Sequence, residues 1–315
     1  MPQVDKIARY QCCLFSNNDN RLSDNSDIQN ILQSGFTFFS NSSSSSTVVN
    51  PDLCESILNW CMTDYENQSK TWKYKVSRMF DIVNNPKNRH SIKIKMTEDI
   101  FLLLNSVLYG DSRRKFFYEN LYGKSSVLVE LSVLLTFPGA PAQALHSDIS
   151  YQALESQFDN HNLPSLSSTF VALQDVHQNM GPTIIIPNTH TKEYHSSIKI
   201  DMESYSVDGT IETISNIDDD SVEKKKFSEE ELNDAAITSN VGDVYTMDAR
   251  AIHCGGANNS TKPRALICFA FQREDRDTND IKRAAGFTYH INDEVSQRRY
   301  RLSDFENVHI KKKCM

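Results

Sequence analysis

"VLVELSVLLTFPGAPAQALHSD", residues 127–148, joins two unlike signals. Val127, Val129, Leu131, Val133, Leu135 and Phe137 fall on one parity, the alternation of a strand with one strongly buried face. "PGAP" breaks that pattern, and His146 and Asp148 follow it. In an extended segment residues i and i+2 point to the same side, so this imidazole and this carboxylate can converge on one point. An imidazole and a carboxylate are two of the three protein ligands of a non-haem iron site, whose open positions take substrate and oxygen. The pattern therefore asks for a second histidine elsewhere in the chain.

Around this stretch the chain reads as short strands with helices before them. "SGFTFFS" (34–40) predicts a strand and "NSSSSST" (41–47) a flexible loop. "NPDLCESILNWCMTDY" (50–65) predicts a helix, capped by Asn50 and opened by Pro51, with Leu53, Ile57, Leu58, Cys61 and Met62 at helical spacing. A second helix is predicted at "TEDIFLLLNSVLYG", stopping at Gly110. Further strands are predicted at "STFVALQDV" (168–176), "TIIIP" (183–187), "GDVYTMD" (242–248) and "RALICFAFQ" (264–272). The turn "NMGP" predicts a hairpin between the first two of these. Short strands joined by turns point to a sandwich or barrel rather than a parallel sheet.

The 315 residues carry no Pro- or Gly-rich linker, so one elaborated domain over 1–315 is expected. At 39% hydrophobic the chain can bury a real core. Seven cysteines show no repeating spacing, which predicts reduced thiols and a cytoplasmic protein. "MPQVDKIARYQCCLF" lacks the apolar core of a secretory signal, and no run is long enough to span a bilayer, so no membrane partner is expected. The basic end "KKKCM" reads as a solvated tail. Residues 201–234 hold 12 acids and 3 lysines, net -9 of the chain's -8; the remainder, with 30 basic and 29 acidic residues, is +1. A near-neutral body gives no nucleic-acid footprint. The acidic segment reads as a surface insertion, with a short helix at "SEEELNDA" begun by a Ser228–Glu231 capping box.

The candidate third ligand is His253, in "MDARAIHCGG", just after a predicted strand. Alone, an H-x-D pair is usually surface decoration, and a histidine after a strand is usually turn chemistry. Arg264 strengthens the set. It lies eleven residues on (264 − 253), beyond a Gly/Asn/Ser/Pro turn, where a hairpin would bring its guanidinium near the metal. Its planar fork of donors suits a dicarboxylate cosubstrate. Along that strand Arg264 shares a face with Leu266, Cys268 and Ala270, whose modest side chains leave room inside a barrel; Ala265, Ile267, Phe269 and Phe271 form the other face. His161, His177 and His195 have no partner at ligand spacing. His190, in "IPNTH", reads as structural, and Cys254 as packing.

"QALHSD", "GPTIIIPNTH" and "GDVYTMDARAIHCGGANNSTKPRALICFAFQ" together resemble the phytanoyl-CoA dioxygenase family of iron(II)/2-oxoglutarate oxygenases, and "SGFTFF" with "NPDLCESILNWC" resembles its opening strand and helix. The resemblance runs in pieces from about residue 34 to 273. It implies a mainly β fold with flanking α-helices, a double-stranded β-helix (jelly roll, cupin-like). It implies iron bound by His146, Asp148 and His253, and the far carboxylate of 2-oxoglutarate held by Arg264. Many relatives place a serine or threonine two residues after the distal histidine to assist that carboxylate. Here the residue is Gly255, which leaves another hydroxyl, Thr183, as the candidate.

The resemblance further implies that Fe(II), 2-oxoglutarate and O2 together oxidise an unactivated C–H bond of a small-molecule metabolite, releasing succinate and CO2. Hydroxylation and radical oxidative cyclisation, as in the kainoid synthases of algae, both belong to this chemistry. Related halogenases lack the carboxylate ligand, so Asp148 argues against halogenation. The basic clusters "SRRK" (112–115) and "IKIK" (92–95) raise the idea of a carboxylate-bearing substrate. A monomer is expected. The competing reading is a non-catalytic cupin-like metal- or ligand-binding module, for which Gly255 is the support.

Overall fold

The structure is a computed structural model, and it describes residues 26–40, 48–69, 88–149, 164, 166–197, 210–216, 219–272 and 290–306. The opening fifteen residues, the serine run, His161, the start of the acidic segment (201–209) and the basic tail lie outside the described residues.

In chain order the elements are α1 (Ser26–Ser34), β1 (Phe36–Phe39), α2 (Pro51–Ser69), β2 (Arg89–Lys93), α3 (Glu98–Tyr109), α4 (Ser112–Tyr122), β3 (Val127–Thr136), β4 (Leu166–Ala172), β5 (Thr183–Ile185), α5 (Lys192–Ser197), β6 (Thr210–Asn216), β7 (Asp219–Lys226), α6 (Glu229–Asp234), β8 (Ala236–Ile237), β9 (Val244–Asp248), β10 (His253–Gly255), β11 (Arg264–Gln272) and α7 (Asp293–Arg298). The larger sheet is antiparallel with order β1-β9-β4-β11-β3-β2; the smaller is β10-β5-β8. An antiparallel bridge between His146 and His253 adds the segment after β3 to the smaller sheet. Mostly antiparallel strands with flanking helices make the jelly roll expected from the sequence.

The three helices read from the sequence are all present. α3 begins where the Thr97 hydroxyl accepts the Ile100 amide and stops at Gly110. The outer face of the larger sheet packs on this helical layer. Leu131, Val133 and Leu135 of β3 and Ala265, Ile267 and Phe269 of β11 join Ile100, Leu103, Leu104, Phe117 and Leu121 in one buried cluster. Each such side chain contributes on the order of 2 kcal/mol by leaving water.

The opposite parity turns inward. β3 and β11 run in register as Thr136↔Arg264, Leu134↔Leu266, Ser132↔Cys268 and Glu130↔Ala270. Leu266 and Cys268 pack with Phe170, Ile185, Ile237, Tyr245 and Met247, which come from both sheets. So the face of β3 that looks polar in the sequence is not a solvent face: Glu130, Ser132 and Thr136 are all buried.

Two connections differ from the sequence reading. β4 and β5, joined through "NMGP", do not pair; β4 sits between β9 and β11, and β5 between β10 and β8. The chain crosses from one sheet to the other, and Gly181 with φ +71 makes that corner, packed against the backbone of Gly256 and Ala257. The link from β10 to β11 likewise crosses between sheets instead of closing a hairpin. Local turn chemistry marks a reversal of direction but not which strand receives the chain.

β6 and β7 pair only with each other, in a separate two-stranded sheet within the acidic segment. The capping box at α6 is formed: the Glu231 amide donates to the Ser228 hydroxyl, and the Ser228 amide to the Glu231 carboxylate. No helix among the described residues is long and apolar enough to cross a membrane.

Candidate active site

His146 and His253 face each other because their backbones pair. Each amide donates to the other's carbonyl, at 2.9 and 2.8 Å. Asp148 is anchored next to them by its amide, which donates to the Ala249 carbonyl at 2.9 Å. The Asp148 Oδ1 atom lies 3.9 Å from His146 Nε2 and 3.6 Å from His253 Nε2. The three donor atoms fall within 4.8 Å of one another, the one such His/Cys/Asp/Glu group among the described residues.

The orientation of each ring is set locally. Nδ1 of His146 donates to the Ala144 carbonyl at 2.8 Å, and Nδ1 of His253 to the Ala251 carbonyl at 2.9 Å. A carbonyl only accepts, so the proton is on Nδ1 and the Nε2 lone pair is left for a ligand. Burial, and then the neighbouring His253, push the His146 imidazole down to about 4. It is neutral at pH 7, the form that binds a metal. Two imidazoles and one carboxylate, ready to bind on one side, fit iron(II) as a facial triad.

Next to the triad stand two guanidinium groups. Arg264 is buried; its Nη1 donates to the Gly181 carbonyl and its Nη2 to the Thr136 hydroxyl at 3.0 Å. Arg89, also buried, donates to the same Thr136 hydroxyl at 3.2 Å, and to the carbonyls of Pro141 at 3.0 Å and Gly256 at 2.7 Å. Neither has an acidic partner among the described residues, and Nε of each is buried without an acceptor. Burial, with the like charge of Arg264 second, drives the Arg89 guanidinium down to about 9. Burial alone lowers Arg264. Two uncompensated buried cations sharing one hydroxyl are costly unless an anion joins them. A dicarboxylate supplies that anion.

Arg89 also accounts for Gly255. A Cβ at residue 255 would run into Arg89 Nη1 and stand 2.6 Å from Gln143 Oε1. The Gln143 side chain in turn accepts the Gly255 amide at 2.8 Å. The space that a serine or threonine side chain would take is filled by the arginine. Arg89, Thr136 and Gln143 went unread in the sequence. Arg89 opens a strand of mixed residues, "RHSIK", and carries no motif; only its burial inside the barrel gives it away.

Thr183, the hydroxyl proposed from sequence, is buried on β5 opposite Gly255 and accepts a hydrogen bond from the Tyr245 hydroxyl at 2.8 Å. The hydroxyl in contact with Arg264 is that of Thr136. The remaining sequence readings separate cleanly. His190 is buried, its Nε2 donating to the Leu32 carbonyl. His195 binds the Arg250 carbonyl, and His177 is exposed. Cys254 packs with Leu145, Ile186 and Ile252. The bases of "SRRK" are engaged: Arg113 with Asp27, Arg114 with Asp111 and Lys115 with Glu306. A cavity of about 320 Å³ opens elsewhere, between the edges of β1 and β8 beneath α6, and none of the triad lines it.

Comparison with known proteins follows from this geometry. The family model of phytanoyl-CoA dioxygenase matches residues 34–266. Among curated proteins no match is found. Among solved structures, the epimerase SnoN in complex with Fe3+, alpha-ketoglutarate and nogalamycin RO is similar at 13% identity and TM-score 0.51, over 84% of this chain and 95% of SnoN. The non-haem alpha-ketoglutarate-dependent carbocyclase SnoK from nogalamycin biosynthesis is similar at 14% identity and TM-score 0.46, over 82% of this chain and 85% of SnoK. EvdMO1 is similar at 15% identity and TM-score 0.47, over 80% of this chain, which spans half the length of EvdMO1. At these identities the likeness is one of fold.

Proposed function

Since the chain belongs to the phytanoyl-CoA dioxygenase family of iron(II)/2-oxoglutarate-dependent dioxygenases, we propose that His146, Asp148 and His253 hold its iron and that Arg264 and Arg89 hold the far carboxylate of 2-oxoglutarate. The observation that carries this is the pairing of a triad whose Nε2 atoms are turned to one carboxylate with two buried cations that have no acid of their own. Iron(II), 2-oxoglutarate and O2 supply the oxidation of a substrate C–H bond, with release of succinate and CO2 and insertion of one oxygen atom when the product is an alcohol.

The chain's own residues do the rest. The carbonyls of Ala144 and Ala251 hold both imidazoles in one tautomer. Asp148 contributes one negative charge. The two arginines and Thr136 fix the end of the cosubstrate away from the metal, so its ketoacid end is presented in one pose. Leu266, Phe170 and Tyr245 keep the barrel dry, where charge interactions are strongest. The substrate is a small molecule, and the outcome is hydroxylation or radical cyclisation of kainoid type. SnoN, with a similar fold, is in complex with such a small molecule. A single domain bearing an acidic insertion at about 201–234 completes the reading.

The alternative, a binding module without turnover, rested on Gly255, and Arg89 in that space removes its support. Anaerobic titration of the protein with Fe(II) and 2-oxoglutarate is expected to give a visible metal-to-ligand band. Oxygen plus a metabolite extract is then expected to release succinate in proportion to a product. Binding of both without any oxygen-dependent succinate would sink the enzymatic reading.

A further inference from the structure

The triad has two neighbours of opposite character. On one side are the arginines: the charge of Arg89 is felt at His146. On the other the charge of Asp148 is felt at Glu130 and Cys268. Thr136, which meets both arginines, and Glu130 lie on the same inward face of β3, six residues apart. At about 3.4 Å per residue this is roughly 20 Å along the barrel. Glu130 therefore stands at the end away from the cosubstrate anchor.

Its hydrogen-bond partners among the described residues are a hydroxyl and a thiol. Glu130 is 4% exposed. The Ser132 hydroxyl donates to Oε1 at 3.3 Å and the Cys268 thiol is a second, weak donor. No basic side chain among the described residues pairs with it. Its neighbours across the sheet are small: Ala270 on β11, then Ser168 on β4. Ala270 packs in one cluster with Ile149, the residue after Asp148, which places this part of the barrel wall toward the metal side of the site. Burial, with Asp148 second, pushes the Glu130 carboxyl up to about 7. A buried acid beside a second acid, walled by small side chains, mirrors the uncompensated arginines at the far end.

We propose, resting on the oxygenase reading above, that Glu130 is the substrate-reading residue of the barrel and that the substrate carries a cationic nitrogen seated against it. A primary or secondary ammonium supplies the positive charge and the N–H donors that Ser132 and Cys268 cannot. A neutral or anionic group there would leave the buried Glu130 carboxyl without a cation.

The test uses the full chain loaded with Zn2+ and 2-oxoglutarate, with three probes of one length: hexylamine, hexan-1-ol and hexanoate. Affinities are read by ligand-observed NMR. Hexylamine is expected to bind at least tenfold more tightly than hexan-1-ol, with hexanoate weaker than both. In Glu130→Gln, an isostere of the neutral acid, amine and alcohol should fall within twofold of each other. Glu130→Asp, which keeps the charge, should retain a preference for the amine. Equal affinities on the unaltered protein, or a preference that survives in Glu130→Gln, overturns the proposal. So does loss of Zn2+ affinity in Glu130→Gln and Glu130→Asp alike, which would make Glu130 a purely structural group. Calorimetry of Zn2+ and 2-oxoglutarate on the unaltered protein reads the oxygenase assignment separately. Its failure there would leave the amine preference measurable on the metal-free chain.

Discussion

Replacing Glu130 by glutamine should make the metal-free protein more stable, by an amount that depends on pH in a defined way. The Glu130 carboxyl is raised to about 7 in the fold, against an ordinary value of 4.5, first by burial and then by Asp148. Below pH 4.5 the acid is neutral in both folded and unfolded chains, and the native side chain costs nothing in charge. As the pH rises the unfolded chain loses the proton first, and folding is penalised until the folded carboxyl also ionises. The penalty grows between pH 4.5 and about 7 and is constant above. At about 1.4 kcal/mol for each tenfold in acidity, the gap amounts to about 3 kcal/mol. Glutamine cannot ionise, so titrating groups remote from Glu130 cancel in the difference between the two proteins. Urea unfolding in the presence of a chelator at pH 4.5, 5.5, 6.5, 7.5 and 8.5 measures that difference. It should be small at pH 4.5 and plateau near 3 kcal/mol in favour of Glu130→Gln above pH 7.5. Adding Asp148→Asn to both proteins should shrink the plateau, since one cause of the shift is removed. A difference that is flat with pH, or that favours the native residue at high pH, would refute the picture of an uncompensated buried acid.

Four further outcomes are expected. His146→Ala, Asp148→Ala and His253→Ala should each lower Mn2+ affinity, measured by electron paramagnetic resonance, at least about 100-fold with circular dichroism unchanged; near-normal binding by His253→Ala would name the wrong third ligand. Arg264→Lys keeps the charge but loses the two-pronged geometry, so calorimetric affinity for 2-oxoglutarate should fall more than tenfold while Mn2+ affinity holds. Gly255→Ser should not act as a harmless return to the residue of relatives: it displaces Arg89, and a loss of about 1–3 kcal/mol in stability together with weaker 2-oxoglutarate binding is expected from chemical unfolding and calorimetry. Replacing the β6–β7 hairpin (210–226) with a short Gly/Ser link, while keeping the buried Phe227, should leave Mn2+ affinity within twofold; collapse of the fold would show that the acidic segment is part of the core.

Much of this was legible in the residues, for reasons that can be named. β11 was read over its whole length because alternation, a Pro before it and a turn all agree. The convergence of His146 and Asp148 was legible because i and i+2 in an extended chain share a side, and that of His253 because it follows a strand at a similar break. Arg89 was illegible because its role depends on a β2–β3 pairing that puts it opposite Thr136, and nothing local announces that register. Glu130 sits inside an apolar run with no motif around it. Alternation reports that a strand has two different faces, but not which face is inside. In β3 the apolar one meets the helices, and the polar one lines the barrel. The "NMGP" turn misled for a related reason, since in a jelly roll neighbours in sequence are divided between two sheets.

The mutual pairing of His146 with His253 has a consequence for the lifetime of the protein as well as its chemistry. The two residues are 107 positions apart (253 − 146), and beside their own bridge the amides of Gln143, Asp148 and Asn258 donate to the carbonyls of Gly255, Ala249 and Ala140. On the proposed assignment, an ion shared between them would tie that long loop as a covalent cross-link does, but reversibly. Ligands that bind only the folded chain shift it away from its open forms by mass action. The metal would thus reinforce a pairing between the segment that leads out of β3 and the segment that leads into β10 that backbone hydrogen bonds already make. On that assignment a cell short of iron would hold not just idle copies of this chain but copies whose rim opens more often to proteases, so scarcity of the metal would lower the lifetime of the protein.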